Sequence, residues 1–190
     1  QSLGSCTGQS IAADCHYQLI IQKVPVWKPS PLFIYYNERL IEGTVMQDSG
    51  AELRNGMKAI NRWGICTEQS WPYDVSKFKT KPSRAAYNEA SRRKILDYTR
   101  IPQTLIHLKS VLAQNDPFIF GFSVYESFEG EHVAKTGAMS MPKSNEKIIG
   151  GHAILCAGFD DHKRVFIIRN SWGPQWGDKG YFYMSYDYIL

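Results

Sequence analysis

With 190 residues, 43% of them hydrophobic and 13% aromatic, the chain is long enough to bury a sizeable core as one domain or two tightly packed lobes, so a disordered chain is not expected. The net charge of +4 is spread out, and its one dense stretch, Lys77, Lys79, Lys81, Arg84, Arg92, Arg93 and Lys94, reads as a solvated face without the aromatic interleaving of a nucleic-acid site, so no nucleic-acid partner is expected. No window approaches the roughly 18 consecutive apolar residues of a membrane span, and Gln1 opens no basic and apolar signal segment, so the expectation is a soluble, processed protein without a membrane partner.

From Thr7 to about Lys23, Ile11, Ala12, Cys15 and Leu19 recur at helical spacing, with only Gly8 as a weak helix former in the first turn. That pattern puts Cys6 at a helix start. Pro25, Pro29 and Pro31 break the chain before Phe33, Tyr36 and Leu40 mark a second helix ending near Gly43. A third runs from about Glu52 to Trp63, with Leu53, Met57 and Ile60 on one face and Gly64 as its stop. The stretch from about Pro72 to Pro102 reads as an irregular connection with a short helix at Ser83 to Ser91. Thr104 to Ala113 is expected to be helical, with Leu105, Leu108 and Leu112 on one buried side. Beyond Asp116 the texture turns to short β-rich runs, Phe118 to Tyr125, His152 to Phe159, Val165 to Arg169 and Tyr181 to Met184, which predict a sheet or barrel.

The cysteines Cys6, Cys15, Cys66 and Cys156 contain no CxxC pair, so neither a zinc ribbon nor a dithiol redox motif is expected. Each reads first as a small buried hydrophobe. Cys6, however, lies in Leu3-Gly4-Ser5-Cys6-Thr7, between turn-forming residues and a helix, where unpaired amides and the macrodipole favour a thiolate, the nucleophilic form. A nucleophilic thiol needs a base, and a histidine base needs a third group to fix its tautomer. Two candidates follow: Gly150-Gly151-His152-Ala153, with His152 opening an apolar strand, and Arg169-Asn170-Ser171-Trp172-Gly173 just past the next strand. His16, His107, His132 and His162 have no motif around them.

Taken together, the Cys6 segment, Gly-His-Ala before an apolar strand, and Asn-Ser-Trp-Gly followed by Trp176-Gly177 and Gly180-Tyr181 resemble the papain family of cysteine proteases. Gly64-Ile65 and Trp71-Pro72-Tyr73 after the third helix fit the same pattern. The resemblance implies an α+β, papain-like fold, a helical lobe (about 1–100) packed against a β-sheet or barrel lobe (about 101–190) as one catalytic domain, with the active-site cleft between them. It implies Cys6 as nucleophile, His152 as general base and Asn170 as the group that orients the ring. Substrate binding would fall to the turn Asp48-Ser49-Gly50-Ala51, whose backbone would pair with substrate chiefly at Ser49, Gly50 and Ala51, and to Trp172 as a shield over the His–Asn bond, with Leu53, Ala153 and Met184 lining a specificity pocket. The activity implied is peptide-bond hydrolysis through a thioester, with neither metal nor organic cofactor, by a monomer made as a zymogen whose partners are a peptide or protein substrate and its own propeptide.

The chain also departs from the pattern. Leu3 stands where the family usually has a cysteine, three before the nucleophile, so the usual disulfide from that position is not expected, and Thr7 replaces an aromatic. The family's oxyanion-hole glutamine would fall one position upstream of Gln1, and Gln1 is not given that role; the backbone N–H of Cys6 is the remaining donor. The resemblance points to a lysosomal, vacuolar or secreted protein, the cysteine pattern to a bacterial or viral one. The competing function is a catalytically inactive relative that binds peptides or proteins; a transglutaminase-like acyltransferase would carry Asp rather than Asn as third member.

Overall fold

The computed structural model describes residues 2–190, and Gln1 lies outside the described residues. The chain forms two compact units, Gln1–Thr99 and Arg100–Leu190.

The first unit is built on three helices, α1 (Cys6–Ile21), α2 (Pro31–Glu42) and α3 (Leu53–Trp63), with the short α4 (Arg84–Ala90) on the chain that follows. Helix α2 is its axis. Ser30 caps the helix by accepting the Phe33 N–H at 3.1 Å, and Pro31 follows at the first helical position, where a missing N–H costs nothing. Every residue from Pro31 to Arg39 is buried. The buried guanidinium of Arg39 is satisfied by carbonyls, donating to Tyr35, Val45, Gln47 and Phe78 at 3.2, 2.7, 3.1 and 2.5 Å, and it lies 4.0 Å from the centre of the Tyr35 ring. Helix α1 crosses α2 at Gly8: a Cβ there would come within 2.6 Å of the Pro31 carbonyl oxygen, so the residue that weakens the helix locally is the one that lets two backbones touch.

The second unit is an antiparallel sheet in the order β1 (Phe118–Tyr125), β2 (Ile148–Asp160), β3 (Val165–Arg169), β4 (Tyr181–Ser185), with helices α5 (Leu105–Ala113), α6 (Glu131–Thr136) and α7 (Tyr186–Ile189). Phe118, Ile154, Cys156, Phe166, Ile168, Phe182 and Met184 alternate along the strands to one face and form its core with Leu108 of α5 and Phe128. Leu105 and Leu112 pack against that core only partly buried.

Strand β2 is longer than the apolar run from His152 to Phe159. It starts at Ile148, with Gly150 paired to Val124 and Gly151 to Ser123, so His152 sits inside the strand opposite Phe122 rather than opening it. The two glycines read as a turn in sequence, but the partner strand carries the ladder through them. Helices α6 and α7, of six and four residues, are too short to show periodicity and were not expected.

Candidate active site

The expected site residues divide between the units: Cys6, Ser49, Gly50, Ala51 and Leu53 in the first, His152, Ala153, Asn170, Trp172 and Met184 in the second.

Cys6 is the first residue of α1 and is half-buried, following the buried Ser5 whose hydroxyl bonds the Tyr73 phenol at 2.6 Å. Behind it, Thr7 donates its hydroxyl at 2.6 Å to Glu38, a fully buried carboxyl on α2. Ser49, Gly50 and Ala51 form the loop between α2 and α3. Gly50 adopts a φ of 71°, a left-handed conformation that a side chain would strain. Its N–H donates to the Tyr35 phenol oxygen at 3.1 Å and its carbonyl accepts the Ser49 hydroxyl at 3.0 Å. This loop reaches back to the segment before Cys6, because the Asp48 carboxylate accepts the Gly4 N–H at 3.0 and 3.1 Å. Asp48 belongs to the turn expected to meet substrate, but its side-chain tie to Gly4, 44 positions away, and the tie of Tyr35 to Gly50, 15 positions away, carry no sequence signal.

In the second unit, the pairing of β2 with β3 runs to Leu155 opposite Arg169, so the next residue, Asn170, emerges beside His152. The Asn170 N–H is held by the Gly180 carbonyl at 2.9 Å. His152 Nε2 lies 2.8 Å from Asn170 Oδ1, and the same oxygen accepts the Ser171 backbone N–H at 2.8 Å. A backbone N–H must face an acceptor, so that atom is the amide oxygen and not the amide nitrogen. It follows that Nε2 carries a proton and donates it to Asn170, leaving Nδ1 of the neutral ring with its lone pair. Asn170 therefore selects the tautomer of His152.

Aromatic rings enclose this pair. Trp172 stacks on the imidazole with centroids 5.1 Å apart and an interplanar angle of 28°, and Phe122 meets it edge-on at 5.9 Å. Phe128 and Trp176 back Trp172 at 5.6 and 5.0 Å. His152 and Asn170 are each only 8% exposed, and Asn170 Nδ2 is buried with no hydrogen-bond partner among the described residues. Phe122 and Phe128 carry no motif of their own; strand pairing brings the first to His152.

Burial lowers the pKa of His152 below the ordinary imidazole value, opposed by the Asn170 bond and by the charge of Glu129. Replacing Asn170 by Ala removes an acceptor that supports the imidazolium, so the titration midpoint of His152, followed by ring-carbon NMR, is expected to move further down. A midpoint that moves up would show that Asn170 does not support the charged ring.

Of the expected pocket residues, Met184 is fully buried and belongs to the sheet core with Phe166, which makes it a packing residue rather than a lining. Leu53 is half-buried and Ala153 buried. Cys66 and Cys156 are buried packing residues, Cys15 is partly buried, and no disulfide joins the four cysteines among the described residues. No group of three or more His, Cys, Asp or Glu side chains among the described residues is placed to hold a metal ion.

A family model described as papain family cysteine protease matches residues 38–189. A peptidase C1-like protein of Acanthamoeba polyphaga mimivirus is 45% identical over 197 residues, covering 99% of this chain and 63% of its own length. Cysteine proteinase 2 of Entamoeba histolytica is 33% identical over 125 residues, which are 64% of this chain and 37% of that protein. The chain thus spans less than two thirds of the length of these curated relatives. Among solved structures, that of xylellain, a cysteine protease from Xylella fastidiosa, superposes with a TM-score of 0.93 at 44% identity, covering 98% of this chain and 75% of that one.

Proposed function

Because the chain belongs to the papain family of cysteine proteases and has its α+β fold, we propose that it hydrolyses peptide bonds through a Cys6 thioester, with His152 as base and Asn170 as the group that orients it. The observation that carries this reading is the oxygen of Asn170, which accepts from both Ser171 N–H and His152 Nε2 and so leaves Nδ1 able to take a proton. In this reading Nδ1 takes the proton of the Cys6 thiol, and Sγ attacks the scissile carbonyl carbon. The tetrahedral intermediate collapses as the C–N bond breaks, the leaving amine receives the proton from Nδ1, and the acyl group stays on sulfur. Water, deprotonated by the same nitrogen, then cleaves the thioester and restores the thiol. The amide N–H of Cys6, at the start of α1, serves as one donor to the developing oxyanion.

The substrate is a peptide or protein chain laid along the loop Ser49–Gly50–Ala51. Since the Gly50 N–H is turned to Tyr35, pairing with substrate falls to the neighbouring peptide group of Ala51. Trp172 keeps water from the His152–Asn170 bond by stacking on the ring. A propeptide lying in the substrate's place would hold the enzyme as a zymogen.

An epoxide inhibitor of cysteine proteases tests the reading by peptide mapping. Burial pushes the thiols of Cys15, Cys66 and Cys156 each up to about 12, so these stay protonated at neutral pH and unreactive. Labelling is expected at Cys6 alone, with loss of peptide hydrolysis. A chain that stays unlabelled and does not cleave peptides would instead be a binding module.

A further inference from the structure

Asp48 is an exposed residue of the loop between α2 and α3, yet its carboxylate holds three segments of the first unit together. Oδ1 and Oδ2 accept the Gly4 N–H at 3.0 and 3.1 Å, and Oδ1 also accepts the Tyr35 phenol O–H at 2.5 Å. The phenol oxygen in turn accepts the Gly50 N–H at 3.1 Å. Tyr35 is fully buried in α2, so the anchor point itself does not move. Burial first, and then the bond to Asp48, push its pKa well above the ordinary phenol value, so it remains a donor. The two loops approach closely: a Cβ on Gly4 would lie 3.2 Å from Gly50 N and 3.3 Å from Asp48 Oδ1.

We propose that Asp48 is a positioning residue for cleavage, setting the loop that ends in Cys6 in register with the loop that takes the substrate backbone. The proposal rests on the proteolytic reading above. Gly4 is two residues before the nucleophile, and Gly50 adjoins the peptide group assigned to substrate pairing, so one carboxylate and one phenol fix both ends of the distance from bound peptide to sulfur. Leu3 supplies no thiol to this segment and the four cysteines make no disulfide among the described residues, so these hydrogen bonds, not a covalent bridge, give the register. Acyl transfer is sensitive to that register, since a displacement of about 1 Å costs on the order of 100-fold in rate. Asparagine at position 48 keeps an oxygen in the place of Oδ1, which already serves both donors, whereas alanine keeps neither oxygen.

The test compares the full chain with D48A, D48N and Y35F, assayed on a fluorogenic peptide at a temperature where all four are folded. D48A is expected to lower kcat/KM by about tenfold, through both kcat and KM, while D48N stays within about threefold of the parent. Y35F frees the Gly50 N–H but leaves Asp48 on Gly4, so it should raise KM more than it lowers kcat. Amide hydrogen exchange at Gly4 and Gly50, read by NMR, should quicken in D48A and at Gly50 in Y35F. Unchanged kcat/KM in D48A, or equal losses in D48A and D48N, would overturn the proposal. If the parent chain cleaves no peptide, the proteolytic reading falls and exchange alone judges the tie. Faster exchange of both amides in D48A then upholds it, and equal rates overturn it.

Discussion

Under the proposed mechanism, Cys6→Ala is expected to lower kcat/KM for a peptide substrate by on the order of 10⁴-fold or more, to the residual level left by binding and the oxyanion donors alone. The fold survives the change, because Cys6 is half-buried at the first position of α1 and its removal leaves no cavity in either core. His152→Ala is expected to cost a similar factor, because in the proposed mechanism Nδ1 is both the base for the thiol and the acid for the leaving amine. The informative measurement is the double variant. If Cys6 and His152 act on one proton, removing both costs no more than removing either, since the second change removes a partner whose function is already lost. Losses that multiply would show that the two side chains do not work together, and the thioester mechanism would fall with them. Cys156→Ala is the control. It removes a core thiol of the second unit, so it should lower the melting temperature while leaving kcat/KM of the folded fraction unchanged.

The elements that hold these residues were legible where one local signal decided them. The periodicity after Cys6, the proline break before α2, Gly43 after it and Gly64 after α3 each mark a boundary that backbone chemistry imposes on its own. The alternating runs gave three of the four strands to within a residue, but His152 was misplaced at a strand opening because Gly150-Gly151 mimics a turn while β1 pairs straight through it. His152 and Asn170 were visible through motif context. What the sequence hid is the support around them. Phe122 reaches the imidazole only through strand register, and Asp48 meets Gly4 only because α2 and its following loop fold back over 44 residues. Glu38 and Arg39 sit side by side on α2, yet both are fully buried: Gly56 lets α3 approach Glu38, and the carbonyls of Val45, Gln47 and Phe78 enclose Arg39.

That burial makes Glu38 the source of a second large effect, on stability instead of rate. Among the described residues its Oε2 accepts the Thr7 hydroxyl alone, and its Oε1 is buried without a hydrogen-bond partner. Burial pushes its pKa up to about 8; the Thr7 bond and Arg39 oppose the rise, while Glu42 adds to it. A carboxyl whose folded pKa exceeds its unfolded value binds more protons in the native state. The stability this gives is therefore fully present below about pH 4.5 and is lost as pH rises through about 8. From pH 5 to 8 the loss amounts to roughly 3 kcal/mol, at about 1.4 kcal/mol per pH unit over most of the window. His152 acts in the opposite sense: its lowered pKa removes stability as pH falls below about 6.5, so the two slopes offset each other in mildly acidic solution and Glu38 alone remains above it. Gln at position 38 is neutral at every pH and keeps the shape of the protonated side chain. E38Q is therefore expected to match the parent near pH 5 and to melt roughly 5–10 °C higher at pH 8 to 9, measured by calorimetry. A melting curve whose dependence on pH above 6.5 is the same in parent and variant would show that Glu38 is already ionised in the native state. Its charge would then be carried by Thr7 and Arg39, and the first turn of α1, which begins at Cys6, would rest on a buried anion.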